Sequence, residues 1–345
     1  MIIEDLLKFV KEKKASDLHI ASNAHPMIRV DGDMVKINND SSSVMNSSDV
    51  MEILKSIMSE EQRLSFKQNL ELDFSIQFSS QMRFRVNAFY NIYGPAAAFR
   101  EIPLQIKSFE EIGTPEIVRN LTSCSKGLIL VVGPTGSGKS TTLATFLDYI
   151  NSNQKNHIIT IEDPVEFTHS SKKSLINQRE VGSSTKSFAN ALRGALREDP
   201  DVILVGELRD VETMQLALTA AETGHLVLAT LHTSSAAQTI NRIVDVFPAQ
   251  DKSLARSMLS SSIKAVISQK LIKKTNGGRC AVYEIMVANS SIRNLIREDK
   301  IPQINSVMEL GKKSGMCTMK DSINELVAKG TISVEEAQEA LAFND

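Results

Sequence analysis

The stretch GLILVVGPTGSGKSTTLATFLDYI, residues 127–150, places a glycine-rich loop between an apolar run and an amphipathic segment. Its centre matches the pattern G-x-x-x-x-G-K-[ST], which joins a strand to a helix in phosphate-binding proteins. Glycines let backbone N–H groups turn toward phosphates, the lysine adds a positive charge, and the last hydroxyl can ligate Mg²⁺. The strand and helix around the loop argue against the alternative, a glycine-rich turn without a ligand. The predicted phosphate-binding residues are Gly133, Thr135, Gly136, Ser137, Gly138, Lys139, Ser140 and Thr141, and Ser140 is also the predicted metal ligand.

The same stretch begins a repeating pattern that predicts the fold class. Four apolar strand-like runs, GLILVV, HIITI, DVILVG and HLVLATL, alternate with helical segments. This alternation is typical of a largely parallel sheet flanked by helices. We therefore expect an α/β domain over residues 124–345 that ends in helices, one of them begun by a capping box at Ser333 and Glu336.

The first hundred residues predict a separate module of mixed α/β structure. A first helix has one apolar face, Asp31-Gly32 predicts a hairpin turn, and Ser59 with Gln62 predicts a capping box. Period-two alternation in ELDFSIQF and RFRVNAFY puts Arg83 and Arg85 on the side away from the core. Pro103, Gly113 and Pro115 interrupt the pattern that follows, so we place a linker at residues 101–123 between a domain at 1–100 and the α/β domain. The face of the first helix consists of Ile2, Ile3, Leu6, Leu7 and Val10.

Composition limits the classes of partner. The 345 residues are 42% hydrophobic, and 39 Lys and Arg residues nearly balance 41 Asp and Glu residues. Without a global positive field, nucleic acid is not an expected partner. Early charges and the lack of a long apolar run predict neither a signal peptide nor a membrane span, so we expect a cytoplasmic protein. Three scattered cysteines without a C-x-x-C pair argue against a disulfide framework or a zinc module.

Acidic residues follow two of the apolar strands. In DVILVGELRD the apolar strand runs into Glu207, a position from which a carboxylate can reach Mg²⁺. Since Gly206 intervenes between the strand and this acid, we expect Glu207 to act through a metal-bound water. Glu162, Asp163 and Glu166 follow the strand of HIITI, where open α/β sheets bind ligands, and one of them could polarise an attacking water. Spacing alone does not choose among these three acids, and solvated acidic turns are the alternative. The absence of an N-K-x-D segment favours ATP over GTP.

His225 and His232 lie at the two ends of one apolar run. A strand of that length separates them by roughly 23 Å and points them to opposite sides, so they cannot share one metal. His232 follows the strand at the predicted ligand edge and is a candidate sensor of a terminal phosphate. His225 precedes the strand and is expected at the opposite edge, where a purely structural role is the alternative.

Taken together, the motifs resemble the secretion-ATPase superfamily, and within it the ATPases that retract type IV pili. The resemblance covers essentially the whole chain and rests on ASDLHI, FRVNAF, GPTGSGKST, TIEDPVEF, VILVGELRD, TGHLVLATLHTSSA, GGR and SIRNLIRED in the family's order. It implies a PAS-like N-terminal α+β domain, a RecA-like P-loop ATPase domain and a homo-hexamer with nucleotide between neighbours.

The resemblance also implies residue roles. Lys139 and Ser140 would belong to the Walker A motif and Glu207 would be the Walker B acid. Glu166 would be the catalytic base, which chooses among the three acids. The nucleotide site would be completed by the two histidines, with His225 as a nucleotide-binding residue, and by N-terminal arginines, for which the candidates are Arg83, Arg85 and Arg100, with Arg85 and Arg100 favoured.

The implied activity is ATP hydrolysis, with Mg²⁺, coupled to pilus retraction at the cytoplasmic face of the inner membrane. The implied partners are further copies of the chain and the membrane platform of the pilus machine, with related pilus ATPases as additional candidates. SIRNLIRED resembles a segment associated with retraction, with Ser291 in place of alanine, and the zinc insertion of extension and type II secretion motors is missing. The alternatives are another motor of the superfamily, an accessory retraction paralogue, and a non-hydrolysing ATP-binding regulator.

Overall fold

The computed structural model describes residues 3–13, 15–30, 32–38, 43–79, 82–102 and 105–342. The chain divides into two units, Met1–Gln105 and Ile106–Asp345. Within the described ranges, every helix is too short or too polar to span a bilayer.

The first unit is a six-stranded antiparallel sheet with helices, in the strand order β3-β2-β1-β6-β5-β4. Its elements are α1 (Ile3–Glu12), β1 (Asp17–Ala21), β2 (Met27–Val30), β3 (Asp33–Lys36), α2 (Ser47–Ile57), α3 (Glu60–Asn69), β4 (Glu71–Ser79), β5 (Met82–Asn91) and β6 (Gly94–Ile102).

Several local predictions in this unit are confirmed. Helix α1 buries the predicted apolar face, Ile3, Leu6, Leu7 and Val10, while Ile2 lies outside the described residues. Ser59 and Gln62 form the predicted capping box at the start of α3. Gly32, with φ of 99°, lies between the antiparallel strands β2 and β3, and Asp31 lies outside the described residues.

The second unit contains two short helices, then alternating strands and helices, then a helical end. Its elements are α4 (Phe109–Ile112), α5 (Glu116–Asn120), β7 (Gly127–Val132), α6 (Lys139–Asn153), β8 (His157–Glu162), β9 (Leu175–Glu180), α7 (Phe188–Ala195), β10 (Val202–Val205), α8 (Val211–Glu222), β11 (Leu226–Leu231), α9 (Ala236–Val246), α10 (Lys252–Ser262), β12 (Ile263–Lys273), β13 (Arg279–Val287), α11 (Ser290–Arg297), α12 (Ile304–Leu310), α13 (Met319–Ala328) and α14 (Val334–Ala342).

The stretch expected to be a linker, residues 101–123, is more ordered than its weak pattern suggested. It contains the end of β6, the helices α4 and α5, and a 3₁₀ turn at Leu121–Ser123, while Pro103 lies outside the described residues. Phe109 of α4 packs edge-on against Phe146 of α6, with ring centroids 6.2 Å apart. Residues from 106 onward therefore pack with the second unit.

The second unit's sheet has seven strands in the order β13-β12-β7-β11-β10-β8-β9. All neighbouring pairs are parallel except β12 with β13, so the predicted α/β class with a largely parallel sheet is confirmed. Every residue of β7, β10 and β11 is buried, as expected for strands covered on both faces. The loops that follow the four adjacent strands β7, β11, β10 and β8 leave from one side, here called the carboxyl edge.

Helices α13 and α14 cover the far end of the β12–β13 hairpin. The apolar cluster between them contains Ile272, Val282, Met319, Ile323, Ile332 and Ala337. The three cysteines are partly buried at the margins of the second unit's cores, and burial raises the pKa of each thiol, that of Cys317 to about 11.

Candidate functional site

The glycine-rich loop joins β7 to α6 at the carboxyl edge, and Lys139 begins the helix. The Lys139 side chain is nearly buried, with 9% of the residue exposed, and its Nζ donates to the carbonyls of Gly133 at 2.8 Å and Pro134 at 3.0 Å. Burial lowers the pKa of Lys139, and the charges of Glu166 and Glu207 oppose that shift. The lysine and the two carboxylates are therefore close enough to interact.

The loop has the features of an anion-binding site. Gly138, with φ of 88°, is the N-cap of α6, and no side chain caps the helix there. The first N–H groups of a helix lack intrahelical acceptors and carry a partial positive charge. The Ser137 hydroxyl is buried without a hydrogen-bond partner among the described residues. These unsatisfied donors fit a phosphate group, and the 15-residue length of α6 supports its dipole.

Glu207 follows β10 after one glycine. Gly206 N–H donates to the Ile161 carbonyl of β8 at 2.8 Å, and Leu208 N–H donates to the Thr230 carbonyl of β11 at 3.1 Å. The backbone on both sides of Glu207 is therefore tied to neighbouring strands, which fixes the direction of its side chain.

The Glu207 carboxylate has two basic neighbours. Its Oε1 lies 2.5 Å from Arg209 Nη2, and its Oε2 lies 3.7 Å from His232 Nε2. The Glu207 side chain is 15% exposed, whereas that of His232 is 54% exposed. The structure thus brings these two predicted residues together at the carboxyl edge and leaves the imidazole open to solvent.

The three acids at the end of β8 and in the turn after it, Glu162, Asp163 and Glu166, differ in their surroundings. Burial raises the pKa of Glu162 to about 7. Its Oε1 accepts from Thr160 Oγ1 at 2.7 Å and from the Gln178 amide at 3.3 Å, and its Oε2 lies 3.5 Å from Glu166 N. Glu166 itself is exposed. Glu162 therefore supports the turn that presents Glu166. Asp163 is exposed like Glu166, so exposure separates Glu162 from the other two acids but does not choose between them.

The structure does not bring His225 to this edge within its own chain. His225 precedes β11 and its Nδ1 lies 3.0 Å from the Ala220 carbonyl, whereas His232 directly follows the strand. The sequence expectation of opposite edges agrees with this placement, and a role for His225 in nucleotide binding stays a prediction.

The three candidate arginines lie in the first unit, on β5 and β6. Arg85 contacts Asp73 through Nε at 3.1 Å and Nη2 at 2.5 Å. Arg100 Nε donates to the buried Asp17 at 2.8 Å, and Arg83 Nη2 donates to Ser75 at 2.9 Å. Each guanidinium is oriented by an acceptor of its own unit, and their catalytic roles stay predictions.

Sequence reasoning missed a group of polar residues on the β12–β13 hairpin. The Gln269 amide donates to the Ser137 carbonyl at 2.7 Å and accepts from Thr142 Oγ1 at 2.7 Å. Ser268 Oγ donates to the Ser234 carbonyl at 2.6 Å. Glu284 Oε1 accepts from the N–H of Ala236, at the start of α9, at 2.7 Å. The detectable signal is the pair of polar residues inside the apolar run IKAVISQKLI.

A protein-family model described as type II/IV secretion system protein matches residues 1–339. The chain belongs to this family. The resemblance drawn from the sequence motifs is therefore confirmed.

Individual relatives show which members of the family the chain is similar to. A protein of Pseudomonas aeruginosa described as the type IV pilus retractation ATPase PilT is 54% identical over 339 residues, 98% of each chain. A protein of Neisseria gonorrhoeae described as a twitching motility protein is 58% identical over 314 residues, 91% of this chain and 83% of that protein. A crystal structure of the pilus retraction motor PilT with bound ADP superposes with a TM-score of 0.91 and 46% identity, covering 99% of this chain and 97% of the other.

Proposed function

We propose that this chain is an ATP-hydrolysing motor that powers type IV pilus retraction and twitching motility. The observation that carries the proposal is the 54% identity to PilT over nearly full length. The grouping of Lys139, Glu166 and Glu207 at one edge of the sheet supports hydrolysis, because a phosphate-loop lysine and two strand-end acids are the parts that phosphoryl transfer to water requires.

Each residue of this group has a distinct task in the proposal. The backbone N–H groups of the loop and the first turn of α6 bind the phosphates, and Lys139 exchanges its two carbonyl contacts for phosphate oxygens. Glu166 orients the attacking water and accepts its proton. Ser140 and Glu207 supply a hydroxyl and a carboxylate, the oxygen ligands that Mg²⁺ prefers, the latter through a water. Mg²⁺ held by these residues would supply positive charge that offsets the charge of the phosphates.

His232 would connect hydrolysis to movement. Its imidazole lies 3.7 Å from Glu207 and can donate a hydrogen bond toward the terminal phosphate. The loop that contains His232 continues directly into α9. Loss of that hydrogen bond after hydrolysis would therefore allow the helix to move.

The proposed assembly is a homo-hexamer in which the first unit is PAS-like and the second is RecA-like. Arg85 and Arg100 of one subunit would stabilise developing charge at the nucleotide of its neighbour. The motor would act at the cytoplasmic face of the inner membrane, against the platform protein of the pilus machine and beside related pilus ATPases. Support for this part comes from similarity to PilT.

The SIRNLIRED segment is compatible with the retraction assignment. It forms α11, whose N-cap is Asn289, and Asn289 accepts from Ile292 N at 2.9 Å. Ser291 is exposed in the first turn and does not cap the helix. Replacing alanine by serine there therefore changes an exposed side chain only.

Two measurements test the proposal. The purified protein should release phosphate from ATP in the presence of Mg²⁺, and Lys139→Ala should abolish that release. A wild-type protein that binds ATP without releasing phosphate would favour the non-hydrolysing regulator.

A deletion strain should carry excess surface pili and fail to twitch. Absent pili would indicate an extension motor, and normal pilus numbers with altered motility would indicate an accessory paralogue.

A further inference from the structure

The side chain of Gln269 lies directly beneath the glycine-rich loop. It projects from β12, which pairs with β7 so that Ser268 faces Val132, the last residue of β7. Gln269 therefore lies beside Gly133, where the loop begins. The residue is 2% exposed, which is unusual for an amide side chain inside an apolar strand.

The loop is in close contact with this residue at two glycines. A Cβ added at Gly133 would lie 2.3 Å from the Gln269 carbonyl oxygen, and one added at Gly138 would lie 2.8 Å from its Nε2. Both positions also have positive φ, 147° and 88°. Backbone and side chain of Gln269 therefore form the surface on which the loop rests.

Both the donor and the acceptor of the Gln269 amide form hydrogen bonds. Nε2 donates to the Ser137 carbonyl at 2.7 Å, and Oε1 accepts from Thr142 Oγ1 in the first turn of α6 at 2.7 Å. In a trans peptide the C=O and the next N–H point in opposite directions. Holding the Ser137 carbonyl against β12 therefore turns the Gly138 N–H away from β12, toward the interior of the loop.

We propose that Gln269 is a positioning residue for nucleotide binding: it orients the Ser137–Gly138 peptide and ties the loop to α6 without touching the ligand. The inference rests on the proposed function only in that the ligand is a nucleotide. Losing the amide removes the side-chain donor to the Ser137 carbonyl and an acceptor of the Thr142 hydroxyl, and the loop then reaches its binding geometry in a smaller fraction of molecules.

The chain offers a matched control. The Gln154 amide also donates to a backbone carbonyl, that of Thr122 at 2.9 Å, and also accepts, from Asn156 Nδ2 at 2.9 Å. It lies after the opposite end of α6 from the loop. Gln154→Met therefore removes the same kind of hydrogen bonds away from the phosphate site.

The first experiment measures the ADP dissociation constant by calorimetry, with Mg²⁺ present. Gln269→Met should raise it at least about tenfold, because one unpaired buried polar group costs enough to shift an equilibrium by that factor. Gln154→Met should leave it within about twofold. Folding is monitored by the thermal midpoint of each variant.

The second experiment uses Gln269→Glu as a conservative variant with a pH-dependent donor. A buried glutamic acid has a raised pKa, and only its protonated form can donate to the Ser137 carbonyl. The ratio of the variant's ADP dissociation constant to that of wild type should therefore be large at pH 8 and fall severalfold at pH 6. A constant ratio would show that the loss of the donor to the Ser137 carbonyl does not affect binding.

The outcomes separate this inference from the proposed function. Wild-type chain that fails to bind ADP would overturn both. If wild type binds ADP and Gln269→Met binds it equally well, only the positioning role is wrong. If Gln269→Met does not fold, the Gln269→Glu variant decides. A ratio of ADP dissociation constants, variant to wild type, that is the same at pH 8 and pH 6 contradicts the proposal.

Discussion

Residues of the same type at neighbouring positions have different environments in this site. Glu162 and Glu166 are both glutamates on one turn, yet the first has its carboxyl enclosed by Thr160 and Gln178 and the second is exposed. The sequence alone predicted that acids cluster there but could not rank them, because the rank depends on Gln178 from β9. The resemblance to a known family chose Glu166, and its geometry is compatible with that choice.

The raised pKa of Glu162 predicts a pH-dependent stability. The pKa of Glu162 is 4.5 in the unfolded chain and about 7 in the folded protein. Between these two pH values the unfolded chain releases the carboxyl proton while the folded chain keeps it. The free energy of unfolding therefore falls as pH rises from 4.5 to about 7. The difference corresponds to about 3 kcal/mol at about 1.36 kcal/mol per pKa unit. Relative to wild type, Glu162→Gln should therefore gain roughly 2 to 3 kcal/mol in unfolding free energy between pH 5 and pH 8. Urea unfolding of both chains at each pH measures this, and a difference that stays constant would contradict the raised pKa.

Glu166→Gln tests the assignment of the catalytic base. The amide cannot accept the proton of the attacking water, so kcat for ATP hydrolysis should fall about 10²- to 10⁴-fold. The dissociation constant for ADP should change little, since Glu166 does not contribute to the loop. Asp163→Asn on the same turn is the control and should retain most activity. Full turnover by Glu166→Gln would remove the assignment.

At the scale of elements, much of the site was predictable from the residues that directly follow the apolar strands. Acids and a histidine at the ends of apolar strands converge because neighbouring parallel strands end at one edge. The strand order was not predictable, because it depends on pairing between segments far apart in the chain. The role of Gln269 was missed for the same reason: it follows from the register of β12 against β7.

The close contact between β12 and the loop predicts unequal effects of two glycine substitutions. Gly133→Ala would place its Cβ 2.3 Å from the Gln269 carbonyl, whereas a Cβ at Gly136 meets nothing within 4 Å. Both residues have positive φ, so both variants carry backbone strain, but only the first also displaces β12. Gly133→Ala should cost at least about 1 to 2 kcal/mol more than Gly136→Ala. The shift of the urea midpoint at constant m-value measures the difference, and equal shifts would show that the contact relaxes freely.

At the scale of the whole molecule, the sequence divided the chain near residue 100, and the contacts divide it after Gln105. The weak pattern from 106 to 123 looked like a linker because its two helices are only 4 and 5 residues long. Such short helices show little periodicity, and packing of Phe109 on α6 keeps α4 in place.

A mixing experiment tests whether the arginines act between subunits. Lys139→Ala subunits lack a working loop but keep their arginines, and subunits with Arg85→Ala and Arg100→Ala have the reverse defect. Each variant alone should be nearly inactive, because an arginine at the transition state contributes about 10³ to 10⁵ in rate. An equal mixture should recover roughly a quarter of the wild-type rate if sites in a ring act independently. A mixture no more active than its parts would show that the arginines serve their own subunit.

The three native thiols offer a practical route to watching such a motor move. Burial raises the pKa of Cys124, Cys280 and Cys317, so little reactive thiolate forms at neutral pH. Ile92 is 90% exposed. In an Ile92→Cys variant, a maleimide dye should therefore react first with the new cysteine. Fluorescent labelling can therefore proceed on the natural background, without removing any of the original sulfur atoms.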